Sequence, residues 1–401
     1  MKKAFISIFL TGVLLRANAQ IFTQSSTNGA ITITPKGVQG KTNPGNDTTN
    51  VAFGPNALLN NGTGVHNTAM GFSALQLNTS GNYNTANGVN VLNRNTTGDE
   101  NTAVGFAALG RNTKGYSNTA IGVYALFKNT TNGENTATGA YALYENTTGK
   151  ENTAYGSNAL YSNKTGYSNT ATGVETLYYN LAGYNNTAYG DSALVNNETG
   201  VRNTAVGFQA GSINETGNTN TFVGYRADAN ATNRINATAL GANAIVNASN
   251  KVRLGNSSVT VIEGQVAYSF PSDRRLKENI IYTSQLGLEF INRLQTVSYN
   301  YISDKTHVRH DGFIAQDIEA VMKELKVEFS GLKKSDDGTY SLAYSDFVMP
   351  LVNAAKELKQ QNEKQQAKIE DLETRLSALE ELKAEITKLK ADNSLRNSDK
   401  K

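Results

Sequence analysis

Glycine stands at positions 54, 71, 88, 105, 122, 139, 156, 173, 190, 207, 224 and 241, each 17 residues after the one before. A chain that keeps such a period is committed to a repeat architecture, because one copy is too short to bury a face of its own and must stack on its neighbours. Most of these glycines follow Asn-Thr-Ala-x, as in Asn67-Thr68-Ala69, Asn101-Thr102-Ala103 and Asn152-Thr153-Ala154, and Ala-Leu comes three residues later, as in Ala74-Leu75, Ala108-Leu109 and Ala125-Leu126. A second marker, Asn-x-x-Gly, keeps the same period at Asn61, Asn78, Asn95, Asn112, Asn146, Asn163, Asn180, Asn197 and Asn214. Both segments are too short for helices, and Asn and Gly between them suit turns with positive φ, so each repeat is expected to form one coil of two short strands.

Stacked coils pair their backbone edges at about 4.8 Å, which makes the expected rod roughly 58 Å long. Ala, Val, Ile and Leu are expected inside, with Asn and Thr in ladders along the axis. Only 38% of the residues are hydrophobic and Trp is absent, so the interior is thin and a lone copy marginal; three chains side by side would share the burial. The fold class expected is therefore mainly β: a trimeric parallel β-solenoid or β-roll over 50–241, then a neck over 242–271.

A formal charge of +3 with no basic stripe gives no footing for nucleic acid. The absence of Cys excludes disulfides, thiolate metal sites and thiol nucleophiles. With three histidines and no clustered carboxylates, no metal or other cofactor is expected. Lys2-Lys3, an apolar run from Ala4 to Leu15 and Ala17-Asn18-Ala19 match a signal peptide cut after Ala19, ahead of an N-terminal segment over 20–49. The run is shorter than the roughly 20 residues a membrane-spanning helix needs, and no transmembrane segment is expected elsewhere. These features point to an exported protein of the cell surface or the exterior.

The repeat resembles the head domains of trimeric autotransporter adhesins, parallel β-rolls with an Asn-x-Ala-x-Gly-like signature, although its coil is longer than theirs. Asn250-Lys251-Val252-Arg253-Leu254-Gly255-Asn256 breaks the period and looks like the neck below such heads. The resemblance implies an adhesive or spacer surface, with a cell-surface glycan or other receptor as partner. Tyr144, Tyr178 and Tyr179 are candidate sugar-stacking groups on it, weighed against the alternative that they cover seams between protomers. No regular pair of acidic residues supports glycan cleavage.

At Ser272 the composition becomes that of an ordinary globular domain. Ser272-Asp273-Arg274-Arg275-Leu276-Lys277-Glu278-Asn279-Ile280 opens it; a helix is expected over 285–294 and a strand over 297–302, and Gly312-Phe313-Ile314-Ala315-Gln316-Asp317 follows, with Tyr344 and a final helix from Leu351 to Leu358. These motifs resemble the intramolecular chaperone domain that ends endosialidase tailspikes and other tail fibres, also classed as a serine peptidase family; the resemblance covers 272–358, and we set the domain at 272–357. A serine hydroxyl needs a base, and a lysine kept neutral by burial serves as one. Ser272 and Lys277 supply that pair at a spacing of five. The resemblance implies that Ser272 attacks the adjacent peptide bond, with Lys277 as base and then acid, in a single self-cleavage with no multiple turnover. Asp273 and His310 are the supporting candidates, and both also have structural readings: a solvated charge run, and a histidine beside a strand.

From residue 358, Gln365, Ile369, Leu372, Leu376, Leu379, Leu382, Ile386 and Leu389 recur at steps of three and four between Glu and Lys. This is the pattern of a coiled coil, here expected as a trimeric one over 358–392 with a disordered tail over 393–401. The function expected is a trimeric fibre or adhesin whose C-terminal domain drives assembly and then releases itself. The alternatives are a permanent, uncut trimeric cap and a phage-type tail fibre.

Overall fold

The computed structural model describes residues 49–266, 269–302 and 307–398, together with the backbone of an antiparallel hairpin that pairs Thr32–Thr34 with Gly37–Gln39. The expected signal peptide and most of the 20–49 segment lie outside the described residues. The chain divides into two compact units, Met1–Thr260 and Val261–Lys401.

In the first unit, thirteen strands from Val51–Phe53 to Val252–Leu254 form one parallel sheet. The pairing advances by one period per coil: Thr170 lies beside Thr187 and Ala171 beside Ala188. Side chains alternate across a strand, so the Ala of each Thr-Ala-x is fully buried while Thr and x face outward, as at Thr153, Ala154 and Tyr155. Val and Ile at position x therefore point to solvent, contrary to the expectation that they fill the interior. The core consists mainly of the Ala and Leu rows, with two rows of buried Asn beside them.

One strand per coil is found where two were expected. The Ala-Leu segment is a turn whose leucines hold φ near +50°, as at Leu126 and Leu160. Its backbone still bonds from coil to coil, for example from Leu143 N–H to Ala159 O at 2.9 Å. The left-handed conformation costs each leucine about 1 kcal/mol, and burying its side chain returns roughly 2 kcal/mol. Only in the final coils does this segment become strand, at Asp228–Ala229 and Ile245–Val246. The segment taken for the neck starts differently too: after a coil of 14 residues, Val252–Leu254 pairs with Thr238–Leu240 as the last strand of the sheet.

Near that end the core is rebuilt. Phe222 takes the place of an inward Ala, and Gly211 replaces the leucine that would collide with its ring. Asp228 occupies the next leucine position, where it is almost fully buried. It accepts hydrogen bonds from the Ser212 hydroxyl at 2.9 Å and from the N–H groups of Ile213 at 3.0 Å and Ala229 at 2.8 Å. Burial nonetheless pushes its carboxyl above the usual carboxylate range. The folded state thus holds this proton more tightly than the unfolded chain does. That contribution is complete below pH 3.8 and is lost as pH rises through the raised folded value. The melting temperature of the protein minus that of Asp228→Asn is expected to fall between pH 4 and pH 7; parallel curves would remove Asp228 as the cause.

In the second unit, α1 (Leu288–Arg293) leads into a hairpin of Val297–Tyr299 and His310–Gly312. Next come α2 (Ala315–Leu325) and a hairpin of Leu332–Lys334 and Tyr340–Leu342. A 3-10 turn at Tyr344–Phe347 then passes into α3 (Val348–Ser398). Phe290, Ile318, Phe329 and Phe347 form the core, with Leu286, Phe313 and Leu325 against it. The helix and strand expected over 285–294 and 297–302 are present in shortened form. α3 runs without a break through residue 357. α3 also passes residue 392, where a disordered tail was expected to follow, and reaches Ser398; the sequence places no Gly or Pro there to stop it. Ile369, Leu372, Leu376, Leu379 and Leu382 lie exposed along it. Among the described residues no helix is long and apolar enough to cross a membrane.

Candidate functional site

Ser272 and Lys277 come together through one small turn. The Asp273 carboxylate accepts from Arg275 N–H at 2.8 Å and so caps a 3-10 turn over Arg274–Leu276. Leu276 N–H donates to Asp273 O at 3.0 Å, and Lys277 N–H to Arg274 O at 3.1 Å. This reversal brings Lys277 Nζ within 2.7 Å of Ser272 Oγ, donating to it. The Arg275 guanidinium grips the Asp273 carboxylate at 2.6 Å, and this hydrogen bond, joined by that of the Arg275 N–H, holds the carboxyl below its ordinary range. Asp273 thus shapes the turn without a hydrogen bond to either member of the pair.

All of these side chains are exposed. Phe270, Ile281 and Tyr282 on the same stretch are more than three-quarters exposed. The Ser272–Lys277 contact is therefore open to water and not enclosed by other side chains among the described residues.

His310 lies elsewhere. Its ring packs 5.2 Å from Tyr301 and 5.9 Å from Tyr299 at the hairpin edge, and no hydrogen bond joins it to Ser272, Asp273 or Lys277 among the described residues. Its neighbour Tyr299 is pushed up to about 12, first by its hydrogen bond to Tyr301 and then by burial. The structural reading of His310 is the one its contacts support.

Gly312-Phe313-Ile314-Ala315-Gln316-Asp317 forms the strand-to-helix corner that anchors the core. Phe313 N–H donates to the Tyr344 hydroxyl at 3.0 Å, and the Phe313 ring stacks on Phe347 at 5.2 Å. A side chain at Gly312 would strike the Tyr344 hydroxyl, so the glycine lets tyrosine reach the backbone. Glu357 was not foreseen. Its carboxylate, on α3, accepts from Leu288 N–H at 2.9 Å and caps α1 across 69 residues of sequence, and it lies over Gly287 where any side chain would collide. No local pattern announces a cap that arrives from another helix.

The candidate sugar-stacking tyrosines lie in or beside a row of stacked aromatic rings. Phe127, Tyr144, Tyr161 and Tyr178 occupy one row and stack in sequence, with centroids 5.6, 5.2 and 5.0 Å apart and planes within 12°. Their faces are occupied within the chain, which leaves Tyr144 and Tyr178 half-buried. Tyr179 stays about half exposed, edge-on to Tyr178 at 4.6 Å.

The family model described as chaperone of endosialidase matches residues 272–326. The match starts at Ser272 and takes in the 3-10 turn, α1, the first hairpin and α2, and it leaves residues 327–358 and the solenoid uncovered. The C-terminal unit thus contains a segment similar to the chaperone of endosialidase, downstream of a parallel β-solenoid. No curated protein matches the chain.

Proposed function

We propose that the chain forms an exported homotrimeric fibre or adhesin, whose C-terminal unit aligns the three solenoids and then releases itself by cleavage beside Ser272. The observation that carries this reading is the 2.7 Å hydrogen bond from Lys277 Nζ to Ser272 Oγ at the first residue of the matched family segment. The exposed leucines of α3 agree with a trimeric coiled coil, and the uncovered stretch around residue 272 with a site that neighbouring chains enclose. Ser272 would attack the adjacent carbonyl while Lys277 takes its proton and returns it to the leaving amine. Cleavage then has a kinetic purpose. Solenoids of identical coils offer many wrong registers, and a fibre parted from its aligning domain is held by its unfolding barrier. Export rests on the N-terminal pattern, and the receptor is proposed as a surface glycan or protein.

Denaturing gels test the cleavage. Wild type should give a C-terminal fragment of about 130 residues, and Ser272→Ala and Lys277→Met should each abolish it, a loss of at least ~100-fold in rate by the usual contribution of a general base. An intact wild-type chain that is trimeric would favour the permanent cap, which the exposure of both side chains in one protomer also suits. A fragment that persists in Ser272→Ala would remove Ser272 as nucleophile.

A further inference from the structure

Two of the seventeen rows of the solenoid, those immediately before and after each repeat glycine, hold about half of its exposed large apolar side chains. Met70, Tyr155 and Tyr189 in the first and Phe72, Phe106 and Val174 in the second are all 41 to 62% exposed. The first row carries no charge in any coil and the second only Asp191, whose carboxylate accepts from the Ser192 hydroxyl at 2.6 Å. Charged residues populate other rows, where Lys128 pairs with Glu145 and Lys150 with Glu151. Between the two apolar rows lies the glycine row, which presents no side chain.

We propose that this stripe is the face by which copies of this chain pack on one another about a three-fold axis, with the stacked tyrosine row and the charged rows left outside. The proposal rests on the trimer reading above and adds to it which side of the solenoid is hidden. Exposed apolar side chains that recur over so many coils, interrupted by Asn87, Thr138, Ser157, Thr172 and Asp191, are rare on a protein that acts alone. At about 4.8 Å per coil and one side-chain pair in width, on the order of 10 Å, the stripe covers about 600 Å² per protomer, comparable to one partner's share of a standard interface. A second copy is the occupant whose apolar groups recur at the same axial spacing, so all coils match at once. An unrelated partner would match only a few.

The absence of cysteine gives a direct test. Val123→Cys and Val174→Cys place a thiol in the second row of the stripe and Tyr155→Cys places one in its first row, all at different coils; Tyr179→Cys places one outside the stripe. Each full-length protein is oxidised with copper phenanthroline and run on a non-reducing gel, and the mass of the wild type is measured by light scattering. Linked pairs of chains at the stripe positions and not at Tyr179→Cys, with a wild-type mass of three chains, are the expected result. Three stripe variants at separate coils guard against one that fails to fold. A three-chain mass with links at Tyr179→Cys alone, at every position, or at no stripe position would overturn the stripe and leave the trimer standing. A one-chain mass would overturn both.

Discussion

Replacing Asn152 by aspartate is expected to destabilise the solenoid by about 3–5 kcal/mol at neutral pH, the cost of a buried charge left without a partner. Asn152 is fully buried. Its Nδ2 donates to Gly166 O at 2.9 Å and to Asn135 Oδ1 at 3.2 Å, and its Oδ1 accepts from the N–H of Asn169 at 3.1 Å and the amide of Asn169 at 3.0 Å. The side chain thus gives to Asn135 in the coil before it and to Gly166 fourteen residues on, and takes from Asn169 in the coil after it. A short side-chain amide supplies two donors on one atom and an acceptor on the other, which is what these four bonds use. Aspartate keeps the shape and the acceptor but turns a carboxylate oxygen towards two oxygens in a space closed to water. Its carboxyl should respond by titrating upward, so Asn152→Asp should be less damaging at pH 4 than at pH 7, and urea unfolding at both values checks this. Asn196→Asp is the control: that side chain is exposed, where such changes stay within about 0.5 kcal/mol. Equal effects at the two positions would show that the ladder carries no special share of the stability.

The period, the inward Ala and the indispensable glycines were legible because stacking multiplies a small preference by every coil, so the same residue returns at the same place. The assignment of Ala-Leu to a second strand failed because a buried short segment has the same composition whether it is extended or coiled. What separates the two is φ, and here the leucines themselves take the left-handed region that sequence rules reserve for Gly and Asn. The glycines of Asn-x-x-Gly were read as positive-φ residues and are not: a side chain at Gly149 or Gly166 would run into two neighbouring Asn side chains and a carbonyl, so they are required for space. The outward turn of Val and Ile was concealed by assuming that apolar means interior, whereas the alternation of side chains along each strand puts the residue after the buried Ala outside whatever its polarity. At the C-terminal unit, the spacing of Ser272 and Lys277 was readable since one local turn joins them. The Glu357 cap and the packing of His310 on Tyr299 and Tyr301 depend on contacts between distant segments, and these leave no mark in a local pattern.

Gly139→Ala should be more damaging than any substitution that merely removes a core contact, costing at least about 4 kcal/mol, the level reserved for a broken backbone arrangement. Two effects act together. At φ +138° the residue sits in a region that is essentially closed to side chains. A Cβ there would also be driven into the carbonyl group of Gly156 and lie 3.0 Å from Ser157 N. Those atoms cannot yield, since Gly156 stands in the same relation to Gly173, and so on along the row. Relief requires parting one coil from the next, and the strand bonds between Thr136–Thr138 and Thr153–Tyr155 would go with it. A loss of that size corresponds to a fall in Tm on the order of 10 °C for a unit of this length. Gly338 isolates the first effect, because it holds φ +83° with nothing within 4 Å of a Cβ. Gly338→Ala should therefore cost only the conformational strain, about 1–2 kcal/mol, read on the transition of its own unit. A Gly139→Ala protein that melts within 2 or 3 °C of wild type, roughly 1 kcal/mol on the same scale, would mean that the coils can slide apart without loss, and the close stacking of the glycine row would then not be what holds them in register.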